Sequence, residues 1–266
     1  MKLLATICAR AGSKGVVSKN VREFLEFPIC CYTLSAYKLF VERFGARLEL
    51  TDLAVNTDSR ILFGQMDRCS QPYIPVARAE HLAGDTASKI DVIRDTLNQV
   101  QRQTGITYDV VLDMDLTSPL RRVDDIWNVI DTLIGTPDAE VAMSVCEARR
   151  NPYFNQLALG GDGFYHPVIG STFVARQQAP VIYDANASLY AYSPSFLLAS
   201  DAIILKARLA VCQMPDTAVL DIDSENDYAL MQVLARHFYE TDPSYGEVYR
   251  HIPQFYHEGV PTVESQ

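Results

Sequence analysis

Apolar and polar positions change period along the chain, and each change marks an element. Residues 2–9 (KLLATICA) form a near-continuous apolar run, which predicts a buried strand. Residues 28–40 (PICCYTLSAYKLF) place apolar side chains at helical spacing. Residues 50–57 read as a strand with a polar end. In residues 88–103, Ile90, Ile93, Leu97 and Val100 share one helical face. Residues 109–115 (DVVLDMD) predict a strand with acidic residues at its end. Residues 123–134 predict a helix with Asp124 as its cap, and residues 139–147 a further strand. This β-α-β alternation predicts a doubly wound, mostly parallel sheet.

From 148 to 187 the rhythm breaks into turn signals and short alternating runs. Tyr153, Phe154, Phe164, Tyr165, Val168, Ile169 and Phe173 fall here, more apolar surface than a solvent loop should expose. The stretch predicts a β-rich arm that pairs two copies of the chain. Alternation resumes with a strand at 187–193, a short helix near 194–200, a strand at 207–214 and a helix at 224–239. The expected organisation is a core of 1–147 and 188–240, an arm of 148–187, and a tail of 241–266. The tail, rich in Pro, Tyr and Glu, reads as a surface strap or a poorly ordered end.

Composition narrows the function classes. With 48% apolar and 21% charged residues in 266, the chain can bury a sizeable core. A net charge of −10 repels a polyanion, so no nucleic-acid partner is expected. No apolar run approaches the ~20 residues of a membrane span, and Arg10 and Lys14 interrupt any leader-like start. The six cysteines form no CxxC pair; they read as core residues in a reducing compartment, which implies the cytoplasm.

Against that acidic background one loop stands out. Residues 7–20 (ICARAGSKGVVSKN) put Arg10, Gly12, Ser13, Lys14, Gly15, Lys19 and Asn20 directly after the first strand. In open α/β sheets ligands sit beyond the carboxyl ends of the strands. Glycines let backbone N–H groups approach a ligand, and the cations suit phosphate oxygens. The loop matches neither the Walker A nor the GxGxxG pattern.

A second constellation lies at 221–223. On an extended segment, Asp221 and Asp223 point to one side, so both carboxylates can meet one hard cation. The same residues precede a helix, so capping is an equal alternative.

The loop resembles the opening motif of the acylneuraminate cytidylyltransferases, the CMP-sialic acid synthetase family, close to A-R-x-G-S-K-G-x-x-x-K-N. Five further stretches resemble later family motifs in the same order: 78–88 (RAEHLAGDTAS), 117–121 (TSPLR), 144–153 (SVCEARRNPY), 176–192 (RQQAPVIYDANASLYAY) and 221–230 (DIDSENDYAL). Together they span about residues 2–240. The resemblance implies a Rossmann-like three-layer α/β fold of the nucleotide-diphospho-sugar transferase type with a dimerisation arm. It implies transfer of a nucleotidyl group from a nucleoside triphosphate to the anomeric hydroxyl of a nine-carbon 2-keto sugar acid. The sialic, legionaminic and pseudaminic types are left undistinguished, and pyrophosphate is released. Arg10, Lys14 and Lys19 would hold the triphosphate, with Gly12, Ser13, Gly15, Asn20, Arg78 and Ser88 also on the nucleotide. Arg176 and Gln177 would meet the sugar acid. Asp221 and Asp223 would hold Mg²⁺, with Asp223 in the chemistry.

One position departs from the family pattern. Asp115 stands where many members have a Gln associated with the nucleobase. A carboxylate offers acceptors only, which suits guanine's N1–H and N2–H₂ edge and not cytosine's. GTP therefore competes with CTP as the expected donor. Two other readings of Asp115 stand beside it: a metal pair with Asp113, and a cap for the following turn.

Overall fold

The computed structural model describes residues 1–12, 15–84, 87–173, 175–219 and 221–257, with Arg176 and Val219 described in their backbone only. Strand β1 (Lys2–Cys8) leads through a loop and a small hairpin, β2 (Glu23–Phe24) and β3 (Phe27–Pro28), into α1 (Ile29–Phe44). Then follow β4 (Leu50–Thr57), α2 (Arg60–Asp67), β5 (Ile74–Ala77), α3 (Lys89–Thr104), β6 (Val110–Met114), α4 (Val123–Gly135) and β7 (Val141–Glu147). A second hairpin, β8 (Leu157–Leu159) and β9 (Tyr165–Pro167), precedes β10 (Tyr183–Tyr192). The described chain ends with α5 (Pro194–Leu198), β11 (Leu209–Gln213), α6 (Glu225–Thr241) and α7 (Pro243–His251).

The main sheet has the order β11-β7-β10-β6-β1-β4-β5. Strand β10 runs against β6 and β7, and the other pairings are parallel. Strand alternation divides the core between two faces. Leu3, Ala5 and Ile7 join the apolar residues of α1, α4, α6 and α7 on one face. Leu4, Ala54 and Val111 meet Ile90, Ile93, Leu97 and Val100 of α3 on the other. The result is the expected three-layer α/β architecture. No helix among the described residues is long and apolar enough to cross a membrane.

Three local expectations change. The region 58–87 contains α2 and β5, which periodicity does not announce: α2 is eight residues with Gly64 inside, and β5 is a four-residue edge strand carrying Pro75. Helix α4 is not capped by Asp124, which pairs with Arg43 at 3.1 Å. Asp125, 1% exposed, instead accepts from the Arg122 backbone N–H at 2.9 Å and pairs with its guanidinium at 2.6 Å. Residues 243–257 form neither strap nor disordered end. Tyr245, Val248, Ile252 and Phe255 recur at helical spacing and are buried in the α1 face core. Residues 258–266 lie outside the described residues.

Candidate active site

The carboxyl ends of β1, β5 and β6 border a cavity of about 440 Å³. Cys8, Ala9, Arg10, Gly15, Lys19 and Asn20 form one wall, Arg78, Leu82, Gly84 and Ala87 a second. Lys89, Asp115, Leu116, Thr117 and Asp223 complete it. The topology dictates this place, since parallel strands leave their carboxyl ends open where successive connections part to opposite faces.

The opening loop is held from several sides. Asn20 Nδ2 donates to the Arg10 carbonyl at 3.0 Å, and the Ala11 N–H donates to Asp58 Oδ1 at 2.7 Å. Gly15 is required by space: a Cβ there would lie 2.0 Å from the Asp223 carbonyl oxygen. Lys19 Nζ pairs with Asp223 Oδ1 at 3.0 Å. Gly12 is described but is not among the residues lining the cavity. Ser13 and Lys14 lie outside the described residues. Arg78 donates from Nε to Asn56 Oδ1 at 2.8 Å and from Nη2 to the Asn56 carbonyl at 3.2 Å, and burial lowers its pKa. Ser88 is the N-cap residue of α3 and makes no side-chain capping bond.

The alternatives at 221–223 separate geometrically. Ser224 and Asp227 form a reciprocal capping box on α6, so that helix does not use the carboxylates of Asp221 or Asp223. Asp221 Oδ1 accepts from Ser118 Oγ at 2.8 Å, and the Ile222 N–H donates to the Thr117 carbonyl at 3.3 Å. The segment is thereby docked on the turn after β6. Burial, with the charges of Asp115 and Asp223, raises the Asp221 pKa. Among the described residues no three His, Cys, Asp or Glu gather as an all-protein metal cage. Asp223 on the cavity wall and Asp221 two residues before it are hard carboxylate donors that fit Mg²⁺, which takes one or two carboxylates with phosphate oxygens and water.

Asp115 has partners on both oxygens. Oδ1 accepts from the Thr117 N–H at 2.8 Å and the Thr117 hydroxyl at 2.7 Å, and Oδ2 accepts from Lys89 Nζ at 3.3 Å. Burial opposes its charge, but Lys89 and Thr117 outweigh it and hold Asp115 below the ordinary carboxylate range. It caps the turn as one of the three readings expects. With Oδ1 saturated, it has no oxygen pair for a guanine edge. Asp113 and Asp115 already share the Lys89 ammonium, 2.8 Å from Asp113 Oδ2, where the metal reading would need a cation.

Sequence reasoning missed Lys89 and Arg121. Arg121, 1% exposed, donates from Nη2 to the carbonyls of Asp115 (2.9 Å) and Ser188 (2.7 Å), and from Nε to Ser188 Oγ (3.1 Å). It pins the turn after β6 to β10. Burial pushes its pKa down to about 10. A lysine as first residue of a helix opposes the helix dipole, and that oddity was the available signal for Lys89. Gln177 sits exposed in a short turn (Arg176–Gln178) before β10 and is not among the residues that line the cavity.

No family model matches the chain. It is 32% identical over 238 residues to post-translational flagellin modification protein B of Campylobacter coli, covering 88% of this chain and 95% of that protein. It is 30% identical over 236 residues to CMP-N,N'-diacetyllegionaminic acid synthase of Campylobacter jejuni, covering 88% and 94%. N-acylneuraminate cytidylyltransferase of Streptococcus agalactiae aligns at 25% identity over 233 residues, 86% of this chain and 52% of that protein. The chain belongs to the acylneuraminate cytidylyltransferase family. It is a nucleotidyltransferase of that family. The fold agrees: CMP:2-keto-3-deoxy-manno-octonic acid synthetase complexed with CTP superposes with a TM-score of 0.61 at 14% identity, covering 89% of this chain and 99% of that one.

Proposed function

We propose that this protein transfers a cytidylyl group from CTP to the anomeric hydroxyl of a legionaminic-type nine-carbon 2-keto sugar acid, releasing pyrophosphate. The observation that carries this reading is the cavity that brings Arg10, Lys19 and Asp223 together at the end of β1. Cytidine is supported over guanosine by the CMP product named for the relatives and by the saturated Oδ1 of Asp115.

Arg10, Lys14 and Lys19 bind the triphosphate and take up the charge that grows on the leaving pyrophosphate. Gly15 keeps the loop close to Asp223, and the Lys19–Asp223 pair keeps both side chains on the cavity wall. Asp221 and Asp223 hold Mg²⁺, which when bound neutralises phosphate oxygens and lowers the pKa of the attacking hydroxyl. Arg176 and Gln177 meet the sugar acid's carboxylate end.

The working form is a homodimer joined through the β8–β9 arm, where Leu157, Leu159, Phe164 and Tyr165 are exposed. Six unpaired cysteines suit a reducing cytoplasm. The direct test is turnover with a panel of nucleoside triphosphates and sugar acids. CTP with an N-acylated nonulosonic acid should give pyrophosphate and a CMP-sugar. Turnover confined to GTP, or to sugars without the 2-keto acid, would replace this reading.

A further inference from the structure

Two aspartate pairs stand at the cavity, and each already carries an ammonium. Asp223 pairs with Lys19 Nζ at 3.0 Å, and Asp221 lies two residues before it. Asp113 and Asp115, at the carboxyl end of β6, share Lys89 Nζ at 2.8 Å and 3.3 Å. The two pairs feel one another. After burial, the charge of Asp115 is among the causes that raise the Asp221 pKa. Ser118, three residues beyond Asp115, donates to Asp221 Oδ1 at 2.8 Å. A divalent cation entering with a triphosphate therefore meets two sets of hard oxygen donors.

The two ammonium ions are not equally held. The Lys19–Asp223 pair has an exposed carboxylate, so a metal ion can take the lysine's place at little cost. Lys89 is locked in. The Asp113 carboxylate is buried: its Oδ1 accepts from Thr6 Oγ1 at 3.0 Å, and its Oδ2 makes no directional hydrogen bond, so only the Lys89 charge compensates it. Taking away one partner of such a pair leaves an unpaired charge in the interior. Burial alone would lower the Lys89 pKa, but the charges of Asp113 and Asp115 prevail and raise it well above the ordinary lysine value. The Tyr192 hydroxyl is buried with no hydrogen-bond partner among the described residues, and it is close enough to feel the charges of Asp113 and Lys89. Lys89 thus fills a place bordered by two carboxylates and an unpartnered hydroxyl, all oxygen donors of the kind a hard cation takes. Its charge is covalently tethered and does not depend on metal concentration.

We infer that Lys89 is a positioning residue, a tethered cation that fills the Asp113–Asp115 pair and so confines the divalent ion to Asp221 and Asp223. This rests on the Mg²⁺ reading of the second pair given above. The test reads Mn²⁺ binding rather than turnover, by the electron paramagnetic resonance signal of free Mn²⁺ and by melting temperature. In protein carrying Asp221→Asn and Asp223→Asn the ordinary metal pair is gone. Adding Lys89→Ala to that protein should create a Mn²⁺ site and raise the melting temperature by about 3 °C or more in millimolar Mn²⁺, since a ligand of the folded state stabilises it. Adding Asp113→Asn as well should remove the gain. Lys89→Arg in place of Lys89→Ala should produce no gain, because the tethered charge is kept. Should Lys89→Ala be too unstable to fold, Lys89→Gln keeps a donor for Asp115 without the charge and should gain the same site. A Mn²⁺ response no larger in folded Lys89→Ala or Lys89→Gln than with Lys89 intact would overturn the assignment. So would a response with Lys89 intact that vanishes on Asp113→Asn. Equal Mn²⁺ responses in the wild type and in Asp221→Asn/Asp223→Asn would instead overturn the metal reading of that pair, and the confining role of Lys89 with it.

Discussion

A Cβ on Gly15 would sit 2.0 Å from the carbonyl oxygen of Asp223, so the loop after β1 and the segment 221–223 touch backbone to backbone. The contact joins residues more than two hundred positions apart and sets the spacing between Lys19 and Asp223. Any side chain at 15 must push one of them away. Gly15→Ala should keep the fold by circular dichroism and lose about tenfold or more in kcat/KM, since small misplacement of reacting groups is costly. Activity within twofold of wild type would mean the two segments need not stay in contact.

Lys19→Ala removes the cation that pairs with Asp223. The loss should be on the order of 3 kcal/mol of transition-state stabilisation, as for one positioned electrostatic donor. Melting temperature should barely change, because the pair is a surface one with Asp223 78% exposed. A few-fold loss of activity or less would remove Lys19 from the triphosphate site.

The aspartate pair gives a pH-dependent prediction. The folded-state pKa of Asp221 is raised, chiefly by burial, so its charged form costs stability. Between the unfolded value near ~3.9 and the higher folded value, the native state holds more protons, and stability falls as pH rises. Without Mg²⁺, Asp221→Asn should therefore melt at or above wild type at pH 7, and the difference should shrink toward pH 4. Both Asp221→Asn and Asp223→Asn should lose Mg²⁺-dependent turnover. Full activity of both at saturating Mg²⁺ would sink the metal role.

Much of this fold was legible because period changes are long-range consistent. The apolar β1 run and the Ile90, Ile93, Leu97, Val100 stripe both entered the core as their spacing required. The short α2 and β5 were not legible, since eight and four residues carry too little periodicity to rise above noise. The loop was visible as cationic charge out of keeping with an acidic chain, and the 221–223 pair as two carboxylates two residues apart on an extended segment. What removed the capping reading of Asp221 and Asp223 was Ser224 with Asp227, a local pattern readable only once the helix start was fixed. Lys89 stayed hidden because its partners come from β6, and no spacing within α3 points there.

Arg121 is a buried cation whose hydrogen-bond partners are backbone carbonyls and hydroxyls. Arg121→Met would remove one of two donors from each of the Asp115 and Ser188 carbonyls, which keep the Thr33 hydroxyl and the Asp115 N–H, so the cost should be about 1 kcal/mol for each charge-assisted bond lost. The expected result is a clear drop in denaturation midpoint, together with lost activity as the turn carrying Asp115 and Thr117 shifts. Unaltered stability would show that the turn is held without the guanidinium.

The exposed arm residues predict assembly. Light scattering at micromolar concentration should report twice the 29.7 kDa chain mass, and Phe164→Asp/Tyr165→Asp should shift it toward the monomer. A wild-type monomer would leave the arm's apolar surface without this explanation.

The central claim is that this cavity moves the α-phosphoryl group of CTP onto a sugar acid. It is tested most directly by following two labels, one at the α and one at the γ phosphate of CTP, in the presence of Mg²⁺ and an N-acetylated nonulosonic acid. The α label should appear in a CMP-sugar and the γ label in pyrophosphate, with both products absent when the sugar is omitted. An α label that stays in free nucleotide, or a γ label released as inorganic phosphate, would contradict the account.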